Sequence, residues 1–184
     1  MGTHHAGTRH HVIGRIAFVV VAVLAFGIDR VTKLMIDAEL VLGERVGVVG
    51  DVFELRYVRN TGIAFGLLAD RGPLVLAGSL IVGVLLFVFL LRVHPDDLLT
   101  IIGGALVTGG ALGNLYDRIQ YRYVIDFLHF PQIPAFKVFN VADICISVGV
   151  VLIVIGQVRD IRRSEREAVP VSEQTSSPTT EETP

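Results

Sequence analysis

The sequence predicts an all-α membrane protein, with four transmembrane helices and a small extracytoplasmic, β-containing loop region. Of the 184 residues, 52% are hydrophobic, and the mean hydropathy is +0.62. Charged residues make up only 18%, below the roughly 25% of ordinary soluble domains. The apolar residues gather in four long runs, at about 12–28, 73–91, 98–115 and 138–158. Each approaches the roughly 20 residues that a helix needs to cross a bilayer. The formal charge of −2 argues against a nucleic-acid partner, which would call for a basic stripe. Membrane lipid is the expected surrounding.

The chain starts with a polar segment, Met1–His11, that carries four histidines. A metal site is one reading of it; a disordered tail is the reading adopted. Ala6 stands where a myristoylation signal would have Ser or Thr. The first span, Val12–Ile28, has Arg15 near its start and an unbroken apolar run from Ile16 to Phe26. Ala25-Phe26-Gly27 resembles a signal-peptide cleavage site, but three further spans favour a retained helix. Asp29 and Lys33 follow at i, i+4, on one helix face. The plainest reading of that pair is a solvated ion pair at the helix end, which contributes little.

Asp37–Arg71 is the longest polar segment. Val46–Val58 is rich in β-branched and aromatic residues with partial alternation, which predicts short strands outside the membrane. Asn60-Thr61-Gly62 reads as a turn, and Ile63–Leu68 is apolar enough to lie on the bilayer surface. The second span, 73–91, places Pro73 in its first turn, where proline is tolerated. A tight polar turn, Arg92–Asp97, follows, with Asp96 or Asp97 placed to cap the next helix. The third span, 98–115, carries Gly103, Gly104, Gly109, Gly110 and Gly113. These would let neighbouring helices approach closely. The fourth span, 138–158, is entered through Asn140 and Asp143. Its one cysteine, Cys145, reads as a small packing residue rather than a nucleophile.

Beyond Gln157 come Arg159, Arg162, Arg163 and Arg166, then a Ser/Thr/Glu/Pro tail from Ser172. Such a tail cannot bury enough apolar surface to fold. Four spans put both termini on one side, and the arginines make that side cytoplasmic. The expected organisation is a disordered tail (1–11), one four-helix membrane domain (12–160) and a disordered cytoplasmic tail (161–184).

The polar residues that remain crowd the span ends between Gly109 and Asp143. Ionisable residues at membrane depth are costly, roughly 2.5–3.5 kcal/mol each on insertion scales, so they mark function by default. Asp117 is followed by Arg118 and comes three residues after Asn114, so it reads as a structural ion pair. Asp126 lies in Val-Ile-Asp-Phe-Leu, an extended apolar stretch whose desolvation would raise its pKa. Asp143 lies in the first turns of the fourth span, three residues after Asn140. Two carboxylates in contact would share one proton, the arrangement with which aspartic proteases activate water.

The chain resembles the lipoprotein signal peptidase (signal peptidase II) family. The matching motifs are Asp29-x-x-x-Lys33, Asn60-x-Gly62-x-Ala64-Phe65, Gly109-Gly-x-x-Gly-Asn-x-x-Asp-Arg118, Val-Ile-Asp126-Phe and Phe139-Asn-x-Ala-Asp143. They stand in the family's order from about Ile16 to Val158; singly each is weak, together they are specific. The resemblance implies a four-helix integral membrane aspartic endopeptidase of the bacterial plasma membrane. It would remove signal peptides from diacylglyceryl-modified prolipoproteins, cleaving on the amino side of the lipidated cysteine, at the outer face. No metal or other cofactor is implied, and no His/Cys/carboxylate cluster has metal-ligand spacing. Asp126 and Asp143 match the catalytic dyad. Asn60, Asn114, Arg118 and Asn140 match the polar residues around it, and Asp29 and Lys33 the pair at the first span's end. Two departures bear on substrate fit: Ile63 replaces a usually small residue, and the Asp126–Asp143 connection, with Pro131 and Pro134, is short.

Two rivals stand beside this reading. A small proton-coupled transporter also uses membrane carboxylates, but would place one near mid-span. A non-catalytic assembly factor would explain the glycines and not the Asp/Asn cluster.

Overall fold

The structure is a computed structural model that describes residues 4–62, 72–92, 97–133 and 137–168. Four helices and three strands follow one another as α1 (His4–Glu39), β1 (Arg45–Val49), β2 (Phe53–Asn60), α2 (Gly72–Arg92), α3 (Leu98–Tyr121), β3 (Val124–His129) and α4 (Val141–Ala168). α1, α3 and α4 are long and apolar enough to cross a membrane. Expected features at Ile63–Leu68, in the turn at 93–96, at Pro134 and in the tail from Ser172 lie outside the described residues.

α3 is the central helix, in contact with α1, α2 and α4. Its glycines explain why. A Cβ on Gly103 would stand 2.6 Å from the Gly149 carbonyl oxygen of α4, and one on Gly110 2.5 Å from that of Ala142. On its other side a Cβ on Gly109 would stand 2.5 Å from the Ala22 carbonyl oxygen of α1. Backbone therefore meets backbone on both flanks, as small-residue packing in membranes requires. Asp97 caps α3 by accepting the Thr100 amide at 2.9 Å.

α1 continues eleven residues beyond the expected end of the first span, Ile28. The extension is polar inside and apolar outside. Asp29, Arg30 and Lys33 are buried, whereas Ile28, Val31, Leu34 and Met35 are more than half exposed. That inversion suits a helix facing hydrocarbon, where apolar side chains lose nothing by exposure. The solvated pair expected at 29 and 33 is thus corrected: Asp29 and Lys33 are both fully buried.

The strands form one antiparallel sheet in the order β1-β2-β3. β1 and β2 fall where alternation predicts strands. β3 is the addition, because the Asp126 stretch was legible as extended but its partner was not. Register pairs Val58 with Asp126 and Asn60 with Val124, so Asn60 and Asp126 are diagonal neighbours on one face. Opposite them, Tyr57, Ile125 and Phe127 pack on Ile36 of α1 as a small core. Tyr57 fastens this contact: its hydroxyl donates to the Asp37 carboxylate and accepts from Arg59 Nε at 3.1 Å. Burial and the Asp37 bond push the Tyr57 hydroxyl up to about 12.

Candidate active site

Two elements, β3 and α4, bring the two carboxyls expected to form a dyad toward each other. Asp126 rides on β3. Asp143 lies in the first turn of α4, where the helix dipole favours negative charge. The short connection between them closes because Phe139 folds back onto β3. The Leu128 and Phe127 amides donate to the Phe139 carbonyl at 2.8 and 2.9 Å, and the Phe139 amide donates to Leu128 O at 3.0 Å. This bridge returns Asn140 to the side of Asp126.

Asn140, fully buried, touches both carboxylates. Its Nδ2 donates to Asp126 Oδ1 at 2.7 Å and also faces Asn114 Oδ1 at 3.0 Å and Ile125 O at 3.3 Å. Its backbone amide donates to Asp143 Oδ2 at 3.2 Å, and the Asp143 amide donates to Asn140 Oδ1 at 3.1 Å. That reciprocal pair is a capping box at the start of α4. Asn114 Nδ2 donates to Asp143 Oδ1 at 2.9 Å. Asn60 Nδ2 donates to the second oxygen of Asp126 at 2.8 Å, while Asn60 Oδ1 accepts the Gly62 amide at 2.9 Å. Asn60 is thus a turn residue and a contact of Asp126 at once. The turn fixes which end of its amide faces Asp126, since an N–H can only donate to Oδ1.

Beneath this layer lies a neutral cluster of four buried charges. Lys33 Nζ meets Asp29 Oδ2 at 2.9 Å, Asp117 Oδ2 at 3.0 Å and Asn114 Oδ1 at 2.9 Å. Asn114 Oδ1 accepts one of its protons, and the two carboxylates pair with its charge. Arg30 pairs with Asp117 and stacks on the Tyr116 ring at 4.5 Å. Asp117 Oδ2 also accepts the Ile125 amide at 3.2 Å, tying β3 to α3. Asp29 Oδ1 accepts the Ala142 amide of α4 at 3.0 Å. Gly113 makes room for Asp29, because a Cβ there would collide with its Oδ2. Asp117 is structural as the sequence suggests, but its partners are Arg30 and Lys33 rather than Arg118. Arg30 was missed; three charges within five residues of an otherwise apolar helix were the available signal.

Arg118 donates to the backbone carbonyls of Asn114 and Gly62, at 3.3 Å each, and its charge acts on Asp126 and Asp143. Asp126 is 2% exposed. Burial pushes its carboxyl up from 3.8 to about 7, with the Asp143 charge adding to the rise and the Asn60 and Asn140 donors opposing it. The site therefore holds a buried acid that can carry a proton near neutrality, beside a second carboxyl bonded through the same asparagine. That is the equipment of general acid/base hydrolysis. All eight residues expected at the site belong to this connected network or to the cluster beneath it. Among the described residues no group of His, Cys, Asp and Glu could hold a metal ion. Ile63, next to the Gly62 turn, lies outside the described residues.

Known proteins share this arrangement of elements. A solved structure described as a bacterial membrane enzyme superposes with a TM-score of 0.74 at 27% identity, covering 83% of this chain and 94% of that one. A lipoprotein signal peptidase of Clostridium tetani is 39% identical over 140 residues, 74% of this chain and 89% of the relative. One from Pseudomonas fluorescens is 37% identical over 158 residues, 83% of this chain and 93% of the relative. The signal peptidase (SPase) II family profile matches residues 21–159. With that match spanning the buried charges, the sheet and both carboxyls, the chain belongs to the signal peptidase II family of membrane peptidases.

Proposed function

We propose that this chain is an aspartic endopeptidase that removes signal peptides from diacylglyceryl-modified prolipoproteins, with Asp126 and Asp143 as its catalytic dyad. The observation that carries the proposal is Asn140, which bonds Asp126 through its side chain and Asp143 through its backbone. In this reading Asp143, with N–H donors from Asn114 and Asn140, is the carboxylate that takes a proton from water. Asp126, protonated in its apolar setting, donates to the carbonyl oxygen as the water oxygen bonds to the carbon. The tetrahedral intermediate collapses when the amide nitrogen receives the proton held by Asp143. The C–N bond breaks, the lipidated cysteine leaves as the new amino terminus, and Asp126 recovers its proton from the intermediate's hydroxyl. Asn60 and Asn140 hold Asp126 on line, and Arg118 offsets the negative charge of the pair.

The reading also includes four spans with both termini cytoplasmic and the sheet outside. α2 supports the fourth span, being a 21-residue helix whose one charged residue is the terminal Arg92. The arginines after Gln157 support the orientation. The catalytic unit would be 12–160, although α1 begins at His4 and α4 runs to Ala168, so residues 4–11 and 161–168 are helical rather than disordered. The deciding experiment incubates purified protein with a lipidated and an unlipidated prolipoprotein. Cleavage before the cysteine of the lipidated form alone, lost in Asp126→Asn and Asp143→Asn, is expected. Cleavage by Asp126→Asn with a dead Asp117→Asn would move the catalytic role to Asp117.

A further inference from the structure

α4 does not stop where its packing stops. Gly156 is the last tight contact, its position set against Asp97 and Thr100 at the first turn of α3. The helix then runs twelve residues further, to Ala168, about 18 Å at 1.5 Å per residue. This extension carries Arg159, Arg162, Arg163 and Arg166, all exposed. The spacing i, i+3, i+4, i+7 confines the four to an arc of about 100°. Asp160 and Glu165 fall outside that arc.

The arc has a continuation in the other direction. Ile144, Val148, Val151 and Ile155 are exposed at 43, 45, 56 and 41%. Steps of three and four residues join them to Arg159, Arg162 and Arg166 in one uninterrupted row. The row lies away from the side on which Gly149 and Gly156 meet α3. A single face of α4 therefore changes from aliphatic to guanidinium between residues 155 and 159, level with the first turn of α3. With α4 spanning a membrane, that change falls where hydrocarbon gives way to headgroups. Arginine stems can lie along the apolar surface while the guanidinium heads reach phosphate, and the planar fork bonds phosphate oxygens two at a time.

We propose that the Arg159, Arg162, Arg163 and Arg166 face is a docking surface for anionic phospholipid headgroups, which gather an annulus of such lipid around the end of α4. Basic clusters just past a membrane helix attract anionic lipid strongly enough for each residue to count. Free phosphate could meet the same guanidinium groups but would not extend over the aliphatic part of the row.

The test uses the full chain in vesicles, with a fluorescence probe made by Ile155→Trp; the chain has no tryptophan of its own. Brominated phosphatidylglycerol is mixed as a minor component with unbrominated phosphatidylcholine, and quenching reports the lipid beside the arginine row. Quenching should exceed that from brominated phosphatidylcholine at the same fraction by about threefold or more, since each basic residue near the surface adds attraction. The excess should vanish in the R159Q/R162Q/R163Q/R166Q variant and shrink with added sodium chloride. Inorganic phosphate should reduce it no more than chloride of equal ionic strength. Equal quenching by the two lipids, or an excess that survives in the variant, would overturn the proposal. A larger loss with phosphate than with chloride would overturn it too, in favour of a free-anion site. Prolipoprotein cleavage in the same vesicles should persist in the quadruple variant, so failure here is separable from failure of the peptidase reading.

Discussion

Lys33 Nζ stands 2.9 Å from Asn114 Oδ1, although 81 residues separate the two in sequence. An ammonium group can only donate, so this contact decides which end of the Asn114 amide faces Asp143. The buried charges are therefore linked to the proposed chemistry by one side-chain orientation. Lys33→Met should leave Asp29 and Asp117 short of a cation and cost on the order of 3–5 kcal/mol, the penalty of breaking a buried pair. Denaturant unfolding in detergent would measure the loss. Cleavage at a temperature where the variant remains folded should fall as well, because Asn114 is then free to rotate. Full activity in a folded Lys33→Met protein would separate the cluster from the chemistry.

Asn60 offers a cleaner dissection, since its two bonds do different things. Asn60→Gly keeps a backbone suited to the turn and removes the donor to Asp126. Cleavage should drop roughly 2- to 10-fold, the equivalent of one hydrogen bond to a neutral carboxyl, with little change in melting temperature. Unchanged cleavage would return Asn60 to the role of a turn residue alone.

The dyad should give a bell-shaped pH profile, whose limbs belong to the coupled pair. Asp126 is raised to about 7 by burial first and by Asp143 second, so the alkaline limb should fall near pH 7. The Asn60 and Asn140 bonds favour its charged form and hold the value down. Removing either donor should therefore move the alkaline limb upward, which rate measurements across pH on Asn60→Gly would read.

Stability should depend on the same proton. The folded pKa lies above the unfolded value of 3.8, so the folded state binds more protons between the two values. The contribution of Asp126 is fully present below about pH 4 and is lost as pH rises through about 7. The melting temperature of the wild type should fall over that window more than that of Asp126→Asn.

The α3 glycines can be tested against glycines elsewhere. Gly103→Ala brings a Cβ within 2.6 Å of the Gly149 carbonyl oxygen, whereas a Cβ on Gly27 meets nothing within 4 Å. The first should destabilise by about 1–3 kcal/mol, the usual cost of overpacking. Gly27→Ala should be neutral or slightly stabilising, because alanine is the better helix former. Unfolding of the two variants side by side checks the difference.

Orientation is open to labelling in intact cells. In a Cys145→Ala background, an impermeant thiol reagent should reach a cysteine placed at Glu44, beside β1, and not one at Ser172. The reverse pattern would invert the proposed topology.

Hydropathy and motif spacing by themselves determined the helical membrane class, the family, a cap for α3 at Asp96 or Asp97, and the strand-forming stretch around 46–58. These are properties of residues near one another in sequence, governed by period, length and local chemistry. Only the tertiary structure decided the partners. Asp117 stands beside Arg118, but the helix turns the two side chains apart, and packing brings Arg30 from 87 residues away. Asp29 and Lys33 have the spacing of a surface pair in any helix. They are buried because the glycines of α3 admit α1 into backbone contact, with Asp29 seated over Gly113. Asn60 reads equally well as turn or ligand until β2 and β3 pair, when the register places it diagonal to Asp126. Periodicity shows that a helix or strand has a polar face. Which other face it meets depends on how the backbones approach, and that is a property of the assembled chain.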